Sequence, residues 1–407
     1  MLQHNTSARL GRYDESLRDI LNIQAADESR AWLSTWDGLN AGPTPLWDLP
    51  NLAARLGVGS ISVKDEGHRS PLGSFKALGA PIALIRLIRR LWPEQDFVPA
   101  KLTAGHYKAL LQDFTVISAT DGNHGRALAA AARSIGCRCV IVLHRHVNDE
   151  RRIAIEHLGA QIVQIDGNYD ESVKEAARLA EEHGWHVVSD TSYDGYETIP
   201  RDVIQGYGTI AAEAIEQGSE GPYTHVFIQG GVGGLAAGVV SYFAERCGEQ
   251  RPLCVIVEPD QADCLFQSAL RGRAALATGS VDSIMAGLAC GEASPLAWRF
   301  LHVLADVFMT IPDDAAIDAM RIFAEGSGRD VPIVAGESGA AGLAGLIQAS
   351  SSTKDRAVLG LDERSTVLLL NTEGATAPDL YRQLTGLCAD DVLAAQRGWL
   401  AQRKEGA

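Results

Sequence analysis

The sequence predicts an α/β protein built around mostly parallel sheet, and three observations lead there. Short β-branched runs alternate with Ala-rich stretches of helical period. A second series of the same kind resumes after a connection, DTSYDGYETIP (190–200), that carries the Gly and Pro of a turn. The 407 residues, 46% hydrophobic and 21% charged, suffice for a large core and two domains.

The elements follow in order. SISVK (60–64) precedes the helical SFKALGAPIALIRLIRRLW, and FTVISAT (114–120) precedes HGRALAAAARSIG. CVIVLH (139–144) precedes NDERRIAIEHLG, and QIVQID (161–166) precedes YDESVKEAARLAEEHG. Four such units in tandem predict a doubly wound core. The second series runs through the helix around IPRDVIQGYGTIAAEAIEQ, the strand THVFIQ, the helix LAAGVVSYFAERC, the strand LCVIVE and, near the end, TVLLLNT (366–372).

The net charge of -15, from 36 basic and 51 acidic residues, disfavours a nucleic-acid backbone or an anionic membrane as main partner. No run of about 18 uncharged apolar residues occurs, and the first residues are polar, so a cytoplasmic location is expected. The seven cysteines include no CxxC pair, and His144 and His146 lie in a charged turn without further ligands nearby. Neither a disulfide scaffold nor a metal site is expected.

Ligands of open α/β sheets sit beyond the carboxyl ends of strands, which directs attention to four segments. In KDEGHRSPLGSFKALGA, Lys76 stands near the start of an amphipathic helix, where the positive end of the helix favours loss of a proton and suits a Schiff-base amine. Alone, it reads more readily as a solvated helix lysine. In SATDGNHGR, Asp121 and Asn123 offer an acceptor and an amide at a helix start, or simply an N-cap, while His124 and Arg126 read as helix-surface residues. In THVFIQGGVGGLAAG, the Gly230 to Gly234 loop lets backbone N–H groups approach a phosphate. The same loop fits G-x-G-x-x-A, with Glu258 near the place of a ribose-binding acid, so a Rossmann-type NAD-dependent dehydrogenase is a rival reading. In STVLLLNTEG, Asn371 and Thr372 could face a heterocycle nitrogen or form a turn.

Together the four segments resemble, in order and spacing, the tryptophan-synthase-β-like (fold type II) pyridoxal-phosphate enzymes. The resemblance is nearest to the diaminopropionate ammonia-lyases, through VKDE (63–66), SATDGNHGR (118–126), SDTSYDGYETIP (189–200), QGYGT (205–209), THVFIQGGVGG (224–234), VEPDQADC (257–264), IMAGLACGE (284–292), GESGA (336–340) and NTEG (371–374). It implies two doubly wound domains, a large one from 1–88 with 200–407 and a small one from 89–199. It implies pyridoxal 5'-phosphate on Lys76, with Asn123 beside the ring hydroxyl, Gly230, Gly231, Val232, Gly233 and Gly234 at the phosphate, and Thr372 opposite the pyridine nitrogen. The implied reaction is α,β-elimination of 2,3-diaminopropionate to pyruvate and two ammonia, in a homodimer that takes a small amino acid as substrate. Lys76 and Asp121 would serve as bases on opposite faces, and Asp190 as a second acid beside the substrate β-ammonium. Cys264 and Cys290 would lie near the site entrance, where a disulfide between them is one option. A serine/threonine dehydratase is the alternative within the same fold, and a binding protein that merely retains the fold is a third reading.

Overall fold

The computed structural model describes every residue except 12, 121, 146, 219, 220, 406 and 407. Its strands are β1 (Leu2–His4), β2 (Leu46–Asp48), β3 (Ser60–Asp65), β4 (Thr115–Ala119), β5 (Arg138–His144), β6 (Gln161–Ile165), β7 (His186–Val187), β8 (His225–Gln229), β9 (Leu253–Pro259), β10 (Val307–Ile311) and β11 (Thr366–Asn371). They form a seven-stranded sheet in the order β1-β10-β9-β8-β11-β3-β2 and a four-stranded sheet in the order β6-β5-β4-β7. Among the described residues, only the edge strands β1 and β2 run antiparallel to their neighbours. The β-branched runs explain this arrangement, because strands covered by helices on both faces can be apolar at every position. Strands β4, β8 and β10 are buried at every residue.

The four tandem units do not build one core. The first contributes β3 to the larger sheet, and the other three contribute β4, β5 and β6 to the smaller one. The sequence period identifies each unit but carries no record of which strand pairs with which. The expected long helix from Ser74 is also divided: a single 3₁₀ turn, Phe75–Leu78, precedes α1 (Ala80–Leu91), with Pro81 in the first turn of α1.

Six further helices position the site. They are α2 (Asn123–Ile135), α3 (Asp149–Glu156), α4 (Tyr169–His183), α5 (Thr198–Gln217), α6 (Gly234–Cys247) and α7 (Cys264–Arg271). Helix α1 packs on α5 and on α2, so it links the surroundings of the two sheets. Its Ile82, Leu84, Ile85 and Ile88 are fully buried, each contributing about 1.5–3 kcal/mol by removal from water. Helix α5 crosses the turn that bears Lys76 at backbone distance. A Cβ on Gly206 would lie 2.0 Å from the Leu78 carbonyl oxygen, which accounts for glycine within QGYGT. Among the described residues no helix is long and apolar enough to cross a membrane.

Candidate active site

The segment carrying Lys76 is fixed by backbone pairing with the end of β11. The Gly374 N–H donates to the Gly73 carbonyl at 2.9 Å and the Phe75 N–H to the Thr372 carbonyl at 3.1 Å. Lys76 and Thr372, nearly three hundred residues apart in sequence, therefore open into one cavity.

Beyond β7, Asp190 enters the same cavity and accepts a hydrogen bond from Lys76 Nζ. Burial alone would lower the Lys76 pKa, but the Asp190 carboxylate outweighs it and holds the amine protonated well above the usual lysine range. This overturns the expectation that a helix N-terminus eases proton loss. The lysine lies in the 3₁₀ turn before α1, and its nearest charge is a carboxylate. Burial would conversely raise Asp190, but Lys76 and His124 bring it down to about 2. The Tyr207 ring of α5 lies 6.0 Å from Lys76 Nζ and walls this end of the cavity.

Asp121 lies outside the described residues, as does His146. Asn123, the first residue of α2, donates through Nδ2 to Glu373. Glu373 is held by the Ser338 N–H at 3.2 Å and Thr376 Oγ1 at 3.3 Å. The neighbouring Glu337 pairs with Arg151 of α3, and burial and the Glu373 charge push its pKa up to about 7. Two carboxyl groups and Arg151 thus form the wall behind Asn123, with Arg151 and Glu373 lining the cavity itself.

The third wall is the loop between β8 and α6. Strand β8 has β9 on one side and β11 on the other, so this loop leaves the sheet where the order of connection reverses. The Gly230 N–H is used by the Val257 carbonyl and that of Gly233 by the Gly230 carbonyl. Among the described residues, the N–H groups of Gly231, Val232, Gly234 and Leu235 have no such acceptor, and these residues line the cavity. A row of free donors at a helix start is an anion site. A Cβ on Gly230 would lie 2.5 Å from Glu258 Cγ, so glycine is required there. Gly233 faces the other way, and a Cβ there would meet Ala297 and Leu301 at 3.0 Å.

Two expectations are corrected by burial. Glu258 is fully buried and accepts the N–H groups of Leu265 at 2.9 Å and Phe266 at 2.7 Å, which caps α7. It does not line the cavity and offers nothing to a ribose, which removes the dehydrogenase reading. His124 is a core residue at 3% exposure rather than a helix-surface one. Asn371 is also committed, donating to Asp65 Oδ1 at 2.8 Å and the Val334 carbonyl at 3.0 Å. Cys264 and Cys290 are both buried, and no disulfide joins them.

Of the residues singled out from sequence, the fold brings Lys76, Asn123, Asp190, Gly230, Gly231, Val232, Gly234 and Thr372 to one cavity. Sequence reasoning did not assign roles to Arg151, Tyr207, Ser338 or Glu373. Glu373 lies within NTEG, one of the segments of resemblance, but no local pattern foretells its bond to Asn123. The cavity suits a phosphate-bearing aromatic aldehyde: it supplies a half-buried amine, free N–H donors for the phosphate, and an amide and a hydroxyl for the ring.

A family model described as "Pyridoxal-phosphate dependent enzyme" matches residues 38–373. The chain is 40% identical over 348 residues to a diaminopropionate ammonia-lyase of Escherichia coli strain K12, covering 84% of this chain and 87% of that protein. It is 39% identical over 356 residues to the diaminopropionate ammonia-lyase of Salmonella typhimurium strain LT2, covering 85% and 88%. A crystal structure of the Escherichia coli enzyme in complex with an aminoacrylate-PLP azomethine reaction intermediate superposes with a TM-score of 0.85, at 35% identity, over 95% of this chain and 96% of that one.

Proposed function

The chain belongs to the pyridoxal-phosphate dependent enzymes and, within them, to the diaminopropionate ammonia-lyases; from that premise we propose how its own residues divide the work. The reaction is elimination of ammonia from 2,3-diaminopropionate, with pyruvate and a second ammonia as the final products. The carrying observation is that the Lys76 amine, the free N–H groups of the β8–α6 loop, Asn123 and Thr372 open into one cavity.

When bound, pyridoxal phosphate supplies a carbonyl for the substrate amine and a ring that stabilises negative charge at Cα. Lys76 would hold it covalently. The loop from Gly230 through Val232 to Gly234 would hold its phosphate; Gly233 sets the loop's course, and its side-chain position is filled by Ala297 and Leu301. Asn123, steadied by Glu373, would face the ring hydroxyl, and Thr372 would face the ring nitrogen with a neutral group. Lys76, once free, would remove the Cα proton of one enantiomer, and Asp121 that of the other. Asp190 would bind the second ammonium of the substrate.

Release of pyruvate and ammonia from D- and L-diaminopropionate and from both serines tests the reading. Two ammonia per pyruvate, with diaminopropionate preferred, is expected; one ammonia, with serine or threonine preferred, would assign a dehydratase instead. Asp121→Asn should lower turnover of the D-enantiomer by about 10²-fold and spare the L-enantiomer, the scale of a lost general base. Equal losses would make Asp121 a binding residue.

The division into a large domain, 1–88 with 200–407, and a small domain, 89–199, is supported by the strands, since β4 to β7 alone fall within 89–199. Limited proteolysis would test it. A cytoplasmic homodimer is the assembly proposed, to be measured by sedimentation.

A further inference from the structure

Arg151 is a buried cation with most of its donors unused. It stands in the first turn of α3, where its backbone N–H donates at 3.0 Å to Asn148, the N-cap. A cation in that turn opposes the helix dipole, so local preference does not explain it. The residue is only 9% exposed, and it lines the cavity. Its Nη2 donates to Glu337. Among the described residues, Nε and Nη1 have no acceptor. A guanidinium only donates, and a buried one left unpaired is costly, so the open side of Arg151 calls for an anion.

Glycine lets the side chain reach the cavity. Arg151 crosses the start of α2 at Gly122, where a Cβ would lie 3.0 Å from Arg151 Cδ. Gly122 directly precedes Asn123, the proposed partner of the cofactor hydroxyl. On the ring of pyridoxal phosphate that hydroxyl adjoins the aldehyde, so an amino acid joined there through its amine comes to the Asn123 side. The free N–H groups suited to the phosphate belong to a different wall, the β8–α6 loop.

The charge of this wall also fits one added anion. Arg126, in α2, has Nε and Nη1 sealed from solvent without acceptors, and the charges that act on it are Glu373 and Arg151. Two guanidinium groups therefore face the carboxyl groups of Glu337 and Glu373. Burial and the Glu373 charge hold the Glu337 pKa at about 7, so near neutral pH part of its negative charge is absent. The wall is left with a surplus of positive charge.

We propose that Arg151 binds the α-carboxylate of the amino-acid substrate through the N–H groups that Glu337 leaves unused. Glu337 is then a positioning residue that pins the guanidinium by Nη2. With Asp190 at the opposite end taking the second ammonium, both ends of the substrate are held, and the Cα–H bond between them is oriented. An amine without the carboxylate leaves Arg151 buried and unpaired, which discriminates amino acids from simple amines.

The inference rests on the cofactor-dependent reading above, and its test avoids the leaving group. Alanine and ethylamine share an amine, only alanine carries the carboxylate, and neither can eliminate ammonia from a β-carbon. Their binding to the holoenzyme is read from the shift of the visible cofactor band. Native protein should bind alanine more tightly than ethylamine. Arg151→Met should weaken alanine by about 10- to 10²-fold, the scale of a hydrogen bond to a charged group, and leave ethylamine unchanged. The KM for diaminopropionate should rise by the same factor. Because Arg151→Met orphans a buried carboxyl group, Arg151→Met combined with Glu337→Gln repeats the test without it. Unchanged alanine binding, or equal weakening of both ligands, would overturn the inference. So would a fall in pyridoxal-phosphate affinity in titrations of the cofactor-free variant, since Arg151 would then serve the phosphate. Native protein that binds alanine through Arg151 yet forms no pyruvate from diaminopropionate would sink the proposed reaction and uphold the carboxylate site.

Discussion

Two lysines twelve residues apart, the buried Lys64 and the half-buried Lys76, meet opposite environments. Lys64 on β3 is entirely enclosed, and its three N–H bonds find the Thr44 carbonyl, Gln217 Oε1 and Glu213, each at 2.7 Å. Arg69 completes this cluster with bidentate bonds to Glu66, at 2.8 and 2.9 Å, and to Glu213, both at 2.8 Å. Two cations meet two carboxylates. Lys76 has one carboxylate, an aromatic wall and an open cavity, and the histidine behind its partner has a bare nitrogen. Saturated charge clusters fasten elements together, here β3 to α5. Unsaturated ones keep capacity for a ligand or a proton.

Substitution should separate the two roles, and the largest effect belongs to Lys76→Ala. Loss of the proposed covalent anchor and base should reduce pyruvate formation by about 10³-fold or more, with loss of retained cofactor after gel filtration. A visible cofactor band surviving gel filtration would remove Lys76 from its place. Its folding stability should change much less than that of the next variant.

Lys64→Met leaves Glu213 and Gln217 with an unfilled donor position in the interior. It should cost about 3–5 kcal/mol in denaturant unfolding, the scale for breaking a buried pair. Activity of the protein that remains folded should persist. If Lys64→Met proved as stable as the native protein while losing its cofactor, the contrast between the clusters would fail.

The smallest effect is on the pH dependence of stability in cofactor-free protein. Burial lowers the pKa of both His124 and His225 below the ordinary 6.5 of the unfolded chain. The unfolded state therefore takes up protons first, and stability should fall as pH drops through 6.5, by at most about 1.4 kcal/mol per unit for each histidine. The Asp190 contribution lies lower, present above about 3.8 and lost as pH falls towards about 2. Thermal unfolding between pH 7.5 and 5.5 should show the first slope, and His124→Gln should reduce it.

The strand and helix segments were legible because apolar periodicity is a local property: β3, β5, β8 and β11 lie within a residue of their expected spans. The residues that share the cavity were legible where the proposed chemistry requires one residue type, as with Lys76 and the glycine loop. Gly230 is fixed by contact with Glu258, and Gly206 by contact with Leu78, so each reports a close approach that its own neighbours in sequence do not reveal. What each charge meets was not legible. The burial of His124, the capping duty of Glu258, the bond from Asn123 to Glu373 and the pairing of Arg151 with Glu337 all join residues from separate elements.

The sequence by itself determined the succession of α/β units and singled out the lysine and the glycine loop that share the cavity, since these depend on residue type and short-range spacing. The tertiary structure alone decided how the strands divide between two sheets and which carboxylate faces Lys76. It also decided the protonation of that lysine: the expected influence of a helix end gives way to Asp190, because in a buried cavity the nearest full charge outweighs a partial one.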